Sequence, residues 1–250
     1  ESTGPVATGA GSAPVLRFCC NATVRISGGV AGVEKVGRSV RRPVGPWTPA
    51  VHALLEYVQV RIPGVPRVLG VDEEAEELSF VPGVVHEQLN DAQIASAASW
   101  IRMFHDAVFE FEHEGPWRFF GVERPSIIGH NDLRPANMCF DGDAVAGVFD
   151  WDLAGPSTPA LDLAYFAWST VLTDPDVDVA ALRLEIIAEA YGCLPEWICE
   201  AVVPRLDILI AGIPEAVRRG DVNMQRLVDA GEPERVAALR DRFVEDFLSR

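Results

Sequence analysis

The chain has 250 residues and a mass of 27.2 kDa, enough for one large domain or one two-lobed unit with a buried core. Its net charge of −16 argues against nucleic acid or an anionic membrane as the main partner and favours a small, cationic ligand. No apolar run reaches the roughly 18 residues a membrane helix needs, and the five cysteines, odd in number and without Cys-x-x-Cys spacing, fit reduced thiols in a cytoplasm better than a disulfide framework or a zinc site.

Residues 1–14, ESTGPVATGAGSAP, are small, polar and rich in Gly and Pro, and are expected to form a disordered tail, a processed end or an appended segment. Residues 15 to 42 then alternate short β-type runs with glycines, predicting strands about a turn, SGGVAG, that contains Gly28 and Gly29. Pro43, Pro46 and Pro49 interrupt the pattern. Thr48 is the expected cap of a helix, PAVHALLEYVQ, whose Val51, Leu54, Leu55 and Val58 share an apolar face. Two further strands, PRVLGVD and ELSFVPG, follow, and Pro82-Gly83 closes the segment.

From Asp91, the expected cap, the spacing turns helical through Ile94, Ala97, Ala98, Ile101, Phe104 and Val108. Four more helices are predicted after residue 160, beginning at LDLAY, VAALR, PEWIC and PERVA. A β-rich front (15–82) and a larger helical back (83–250) predict two lobes of an α+β fold. Asp174, Asp176 and Asp178 superficially trace a calcium loop, but Val179 stands where that loop requires glycine. The stretch reads as a helix start with Asp178 as cap.

The exception to this helical back is GHNDLRPANMCFDGDAVAGVFDWDLAG, residues 129 to 155. Asp141-Gly142 predicts a hairpin between NMCF and VAGVF, which brings Asn137 at the start of one strand near Asp150 at the end of the other. Pro135 makes the preceding HNDLRPA a loop that carries Asp132 to the same end. Such a set suits phosphoryl transfer, which needs a carboxylate to orient a hydroxyl and take its proton, and oxygen ligands for a phosphate-bound magnesium ion.

His130-Asn131-Asp132-Leu133-Arg134-Pro135-Ala136-Asn137 matches the kinase catalytic loop H-x-D-x-x-x-x-N. With Asp150-Trp151-Asp152 in the place of D-F-G, and with Leu161-Asp162-Leu163-Ala164 beyond, the chain resembles the aminoglycoside phosphotransferase and choline kinase family. The resemblance implies a bilobal protein-kinase-like fold and phosphorylation of a small-molecule hydroxyl at the expense of ATP, with GTP the alternative nucleotide, and Mg2+. It makes Asp132 the base, His130 a brace for the loop and Arg134 a neutraliser of phosphate charge. Asn137, Asp150 and Asp152 would hold magnesium, and Asp162 would tie down the loop. Gly28 and Gly29 would cover the phosphates, Arg41 (rival Arg42) would contact them from the next strand, and Phe80 and Val81 would meet adenine through backbone groups. Two departures stand out: arginine replaces the family's lysine, and the helix offers no obvious glutamate partner. The acceptor is expected to carry an amine, as in an aminoglycoside. The alternatives are a choline, homoserine or other metabolite kinase, or a nucleotide-binding module without catalysis.

Overall fold

A computed structural model describes residues 33–249 and, before them, the strand Val24–Arg25. The N-terminal tail, Gly28, Gly29, Cys19 and Cys20 lie outside the described residues. Five antiparallel strands form the front: β1 (Val24–Arg25), β2 (Glu34–Val36), β3 (Ser39–Pro43), β4 (Val68–Val71) and β5 (Ala75–Ser79), in the order β1-β2-β3-β5-β4. Successive side chains of a strand point to opposite faces. The adjacent arginines of β3 are thereby separated, Arg41 standing opposite Glu77 and Arg42 opposite Glu76 of β5.

Helix α1 (Thr48–Val58) crosses behind the sheet and buries Val51, Leu54, Leu55 and Val58, as its spacing predicts. Thr48 is not its cap. The Thr48 hydroxyl instead accepts the Gly45 N–H at 2.9 Å and braces the turn that leads into the helix. The chain leaves β5 through residues 80–84, and Val84 exchanges two backbone hydrogen bonds with Phe140. This strap runs so close to the hairpin that a Cβ on Gly147 would lie 2.2 Å from Val81 Cγ1, so only glycine fits there.

Helix α2 (Asp91–Ala107) starts one residue earlier than its first acid suggests. Asn90 is the cap, accepting the Gln93 N–H while the Gln93 side chain accepts the Asn90 N–H. Two small antiparallel pairs follow: β6 (Ile127–Gly129) with β9 (Gly155–Ser157), and β7 (Met138–Asp141) with β8 (Ala144–Val148), the latter turning at Gly142 with φ +60°. Helices α3 (Pro159–Ala167), α4 (Val177–Tyr191), α5 (Pro195–Arg218), α6 (Val222–Asp229) and α7 (Glu232–Phe243) complete the back. Asp176, not Asp178, caps α4, accepting the N–H groups of Asp178 and Val179. That carboxylate therefore organises a helix start, which removes the calcium-loop resemblance.

One apolar core runs through both halves. Leu54 of α1, Ile101 and Phe104 of α2, Phe140 of β7, Val148 of β8 and Phe166 of α3 are all fully buried in it. Trp151 sits between Phe104 and His130, its indole N–H donated to the Val148 carbonyl at 3.1 Å. Cys139, Cys193 and Cys199 are free thiols. No helix among the described residues is long and apolar enough to cross a membrane.

Candidate active site

The loop after β6 is held from below by one carboxylate. Asp162, on the first turn of α3 and fully buried, accepts the N–H groups of His130 at 2.9 Å and Asn131 at 2.7 Å, and a hydrogen bond from His105 Nε2 at 3.1 Å. Burial alone would push its carboxyl up. The donors from His105 and His130 outweigh burial and hold it below the usual carboxylate range. Asn131 takes a left-handed conformation (φ +61°) that inverts the chain, and its amide donates to three carbonyls, those of Gly129, Leu153 and Gly155. His130 accepts the Asp132 N–H on Nδ1 (3.2 Å) and donates from Nε2 to the Phe149 carbonyl (3.1 Å). It thus ties the loop to the end of the hairpin. Arg205 of α5, also fully buried, donates to the Asn131 carbonyl at 2.6 Å and lies over the Tyr165 ring.

This scaffold presents Asp132. Asn137, at the start of the hairpin, donates its amide to the Asp132 carbonyl (2.8 Å) and to Asp132 Oδ2 (2.7 Å), while Arg134 Nε lies 3.4 Å from Oδ1. Burial pushes the Asp132 carboxyl above the ordinary range against the opposing pull of Arg134, and Asp150 is near enough to raise it further. Asp150, after β8, is a non-glycine residue at φ 64°, ψ 62°, and its carboxylate is 38% exposed. A left-handed aspartate is uncommon, and this one stands close enough to Asp132 to act on it electrostatically.

A second charged group closes over Asp150 from the sheet. Arg42 Nε meets Glu76 at 2.7 Å, one Nη meets Asp152 Oδ1 at 2.8 Å and the other lies 3.5 Å from Asp150. Glu76 is in turn bonded by His52 Nε2 of α1 at 2.5 Å. The carboxylate that pairs with Arg42 thus comes from β5 and not from α1, which contributes His52 to the same carboxylate. Arg118 approaches Asp152 from the opposite side, at 3.5 Å from Oδ2, and is clamped at 2.8 and 3.0 Å by both oxygens of Asp221. Asp152 is largely buried, which pushes its carboxyl up, while Arg42 and Arg118 pull it down.

Of the residues expected from sequence, His130, Asp132, Arg134, Asn137, Asp150 and Asp152 come together. Arg41 does not. It pairs with Asp72 at 2.8 Å, half exposed on the other face of the sheet, because neighbours on a strand diverge. The cation facing the aspartates is its rival, Arg42. In the strap, the Phe80 N–H is spent on the Arg38 carbonyl and Pro82 has none, while the N–H groups of Val81 and Gly83 make no backbone hydrogen bond among the described residues. Gly28 and Gly29 lie outside the described residues. Glu76, Arg118, Asp221 and Arg205 were not singled out from sequence. The antiparallel facing of β3 and β5 is the one signal that would have found Glu76. Arg118 and Asp221 stand 103 positions apart with no local pattern between them.

The donor set fits magnesium. Asn137 spends its N–H groups on Asp132 and keeps its amide oxygen, and Asp150 adds an exposed carboxylate. One carboxylate and one amide leave the remaining octahedral positions to phosphate and water, as magnesium prefers. Among the described residues no group of three or more His, Cys, Asp or Glu is arranged to hold a metal alone. Both oxygens of Asp152 face arginines, an ion-pair arrangement rather than that of a cation ligand. Beyond Arg118 opens a cavity of about 990 Å³ lined by Trp47, Trp117, Phe120 and three carboxylates, Asp207, Glu215 and Asp221. Each of these acids is paired with arginine: Asp207 with Arg240, Glu215 with Arg218 and Arg219, Asp221 with Arg118.

The profile of the phosphotransferase enzyme family matches residues 84–197, which include the whole loop and hairpin. The trifolitoxin immunity protein of Rhizobium leguminosarum bv. trifolii is 30% identical over 187 residues, 66% of this chain and 72% of that protein. Among solved structures, a choline/ethanolamine kinase family protein from Mesorhizobium loti superposes with a TM-score of 0.56 at 18% identity, over 90% of this chain and 92% of its own. An aminoglycoside phosphotransferase from Streptomyces rimosus, in complex with ADP and streptomycin, gives 0.52 at 19% identity, over 75% and 92%. The fold is the α+β, bilobal, protein-kinase-like one that these structures share.

Proposed function

We propose, on the premise that this chain belongs to the phosphotransferase enzyme family, that it transfers the γ-phosphoryl group of ATP to a hydroxyl of a small molecule. One observation carries the reading: a buried Asp132, bonded by Asn137 and flanked by Arg134, stands within electrostatic reach of the exposed, left-handed Asp150. Asp132 Oδ2 is tied to Asn137 at 2.7 Å and Oδ1 only loosely to Arg134 at 3.4 Å, so Oδ1 is the oxygen that would receive a hydroxyl proton. Burial makes that carboxylate more basic, which suits proton acceptance. As the acceptor oxygen bonds to phosphorus, the bond to the β-phosphate oxygen breaks, the proton passes to Asp132 and ADP departs.

Arg42 and Arg134 bring positive charge to the phosphates from the two lobes. Magnesium would be held by the Asn137 amide oxygen and Asp150, and when bound it supplies charge neutralisation at the phosphate oxygens. Val81 and Gly83 offer amide donors, and Phe80 a carbonyl, to a purine edge. ATP use is supported by the ADP held in the Streptomyces neighbour.

The acidic chain and the streptomycin of that neighbour support an amine-bearing acceptor, and a relative named as an immunity protein supports a toxic or antibiotic one. A different observation favours a second reading, a metabolite or other acceptor of lower charge: every carboxylate of the cavity is already matched by arginine. The test is phosphate incorporation from labelled Mg·ATP into a panel of aminoglycosides, macrolides and amino alcohols. Transfer that vanishes in Asp132→Ala is expected. Absence of both turnover and Mg·ATP binding would reject the reading.

A further inference from the structure

Arg42 faces three carboxylates. It meets Glu76 at 2.7 Å and Asp152 at 2.8 Å, and lies 3.5 Å from Asp150. To contact a nucleotide's phosphates it must give up at least one of them. Glu76 is 1% exposed and also held by His52, so it keeps the arginine on its strand. The contacts that yield are those to the aspartates at the cleft. Asp152 would then remain largely buried without its main cation, and an unpaired buried carboxylate is strongly unfavourable.

Arg118 answers that problem. It is 7% exposed and sits 3.5 Å from the second oxygen of Asp152, just beyond a good hydrogen bond. Two hydrogen bonds to Asp221 and the Trp47 ring, 4.4 Å from the guanidinium carbon, fix its orientation. Contraction by a few tenths of an ångström would turn a loose contact into a full ion pair. We propose that Arg118 is a positioning residue. It takes over Asp152 when Arg42 turns to the phosphates, so the phosphate clamp engages without stranding a buried anion. The inference rests on the phosphotransferase reading above and assigns to this chain a charge handover between its two lobes.

Titration calorimetry with Mg·ADP and, separately, with adenosine tests it. Arg118→Gln is expected to weaken Mg·ADP on the order of tenfold, the scale of coupling between groups in one ion-pair network. Adenosine, which lacks phosphates, should bind as before. Adding Asp152→Asn to Arg118→Gln should restore most of the Mg·ADP affinity, because no anion is left to strand. Arg118→Lys, which keeps the cation, should fall between wild type and Gln; it replaces the Gln variant if circular dichroism shows that variant unfolded. Equal losses for Mg·ADP and adenosine, or a double variant no better than the single one, would overturn the handover. Wild-type protein that binds no Mg·nucleotide would overturn the phosphotransferase reading and the handover with it. Wild type that binds, with Arg118→Gln unaffected, would overturn the handover alone.

Discussion

Arg42 of the sheet and Asp152, after β8, meet at 2.8 Å, with Glu76 held to the same guanidinium at 2.7 Å. Its neighbour Arg41 points the other way and forms a half-exposed pair with Asp72. Exposed pairs of that kind contribute about 1 kcal/mol or less, whereas a charge-assisted contact to phosphate in a partly closed cleft contributes more. Arg42→Gln is therefore expected to weaken Mg·ATP binding by about 10- to 100-fold, and Arg41→Gln by less than about twofold. Calorimetry on the two variants checks this, and equal effects would show that the strand's alternation does not decide which arginine meets the nucleotide.

Asp132 is the group on which the proposed chemistry turns. Its removal takes away the proton acceptor but leaves Asn137 and Asp150, which face the metal and phosphates. Asp132→Asn should lower the transfer rate by about 10²- to 10⁴-fold, the usual contribution of a positioned acid–base group. Binding of Mg·ATP should change little. Asp150→Ala should do the reverse first, weakening Mg·ATP before any acceptor is present. Rates and affinities measured side by side separate the two, and an Asp132→Asn enzyme with wild-type turnover would end the assignment.

How much of this was legible in the sequence follows from how local each feature is. The loop and hairpin from His130 to Asp152 could be read because their geometry is set within the segment, by Pro135, by Asp141-Gly142 and by fixed spacing. Helices α1, α2, α3, α4, α5 and α7 announced themselves through apolar spacing, while the caps of α1, α2 and α4 were each misassigned by one or two residues. Those errors arose because Thr48, Asp91 and Asp178 look like caps, yet α1 has no side-chain cap, Thr48 bonding Gly45 instead, and Asn90 and Asp176 cap α2 and α4. Choosing between Arg41 and Arg42 required the register of β3 against β5. Arg118, Asp221 and Arg205 were beyond reach, since their partners come from distant elements and nothing nearby marks them.

The anchor under the loop gives a pH prediction. Asp162 has a carboxyl held below its ordinary value, so the folded chain binds its proton less readily than the unfolded chain, whose value is about 3.9. The stabilisation it provides is complete above the unfolded value and is lost as pH falls through the folded one. Asp162→Asn would set an amide group against the N–H groups of His130 and Asn131, and should cost on the order of 3–5 kcal/mol at neutral pH. The difference in melting temperature between wild type and variant should be largest near pH 7 and shrink toward pH 3. A gap that is constant with pH would show that the ionised carboxylate is not what holds the loop.

Gly212 sets two effects against each other within α5. Replacing a mid-helix glycine with alanine ordinarily gains about 0.5–1 kcal/mol, because the unfolded chain loses freedom. Here a Cβ would lie 2.1 to 2.8 Å from three carbons of the Phe120 ring, far inside contact distance. Overpacking of this kind costs about 1–3 kcal/mol, so the clash outweighs the propensity gain and Gly212→Ala should lower the melting temperature. Phe120 partly covers the small apolar cluster of Ile213, Ala216 and Met224 and lines the cavity beside Arg118, so Phe120→Ala is itself destabilising. In the Phe120→Ala background, however, Gly212→Ala should become neutral or stabilising, because the obstructing ring is gone. Thermal melts of the four proteins in this cycle decide the matter. If Gly212→Ala stabilises the wild-type background, helix α5 and the 117–121 segment do not pack as closely as the ring contact requires.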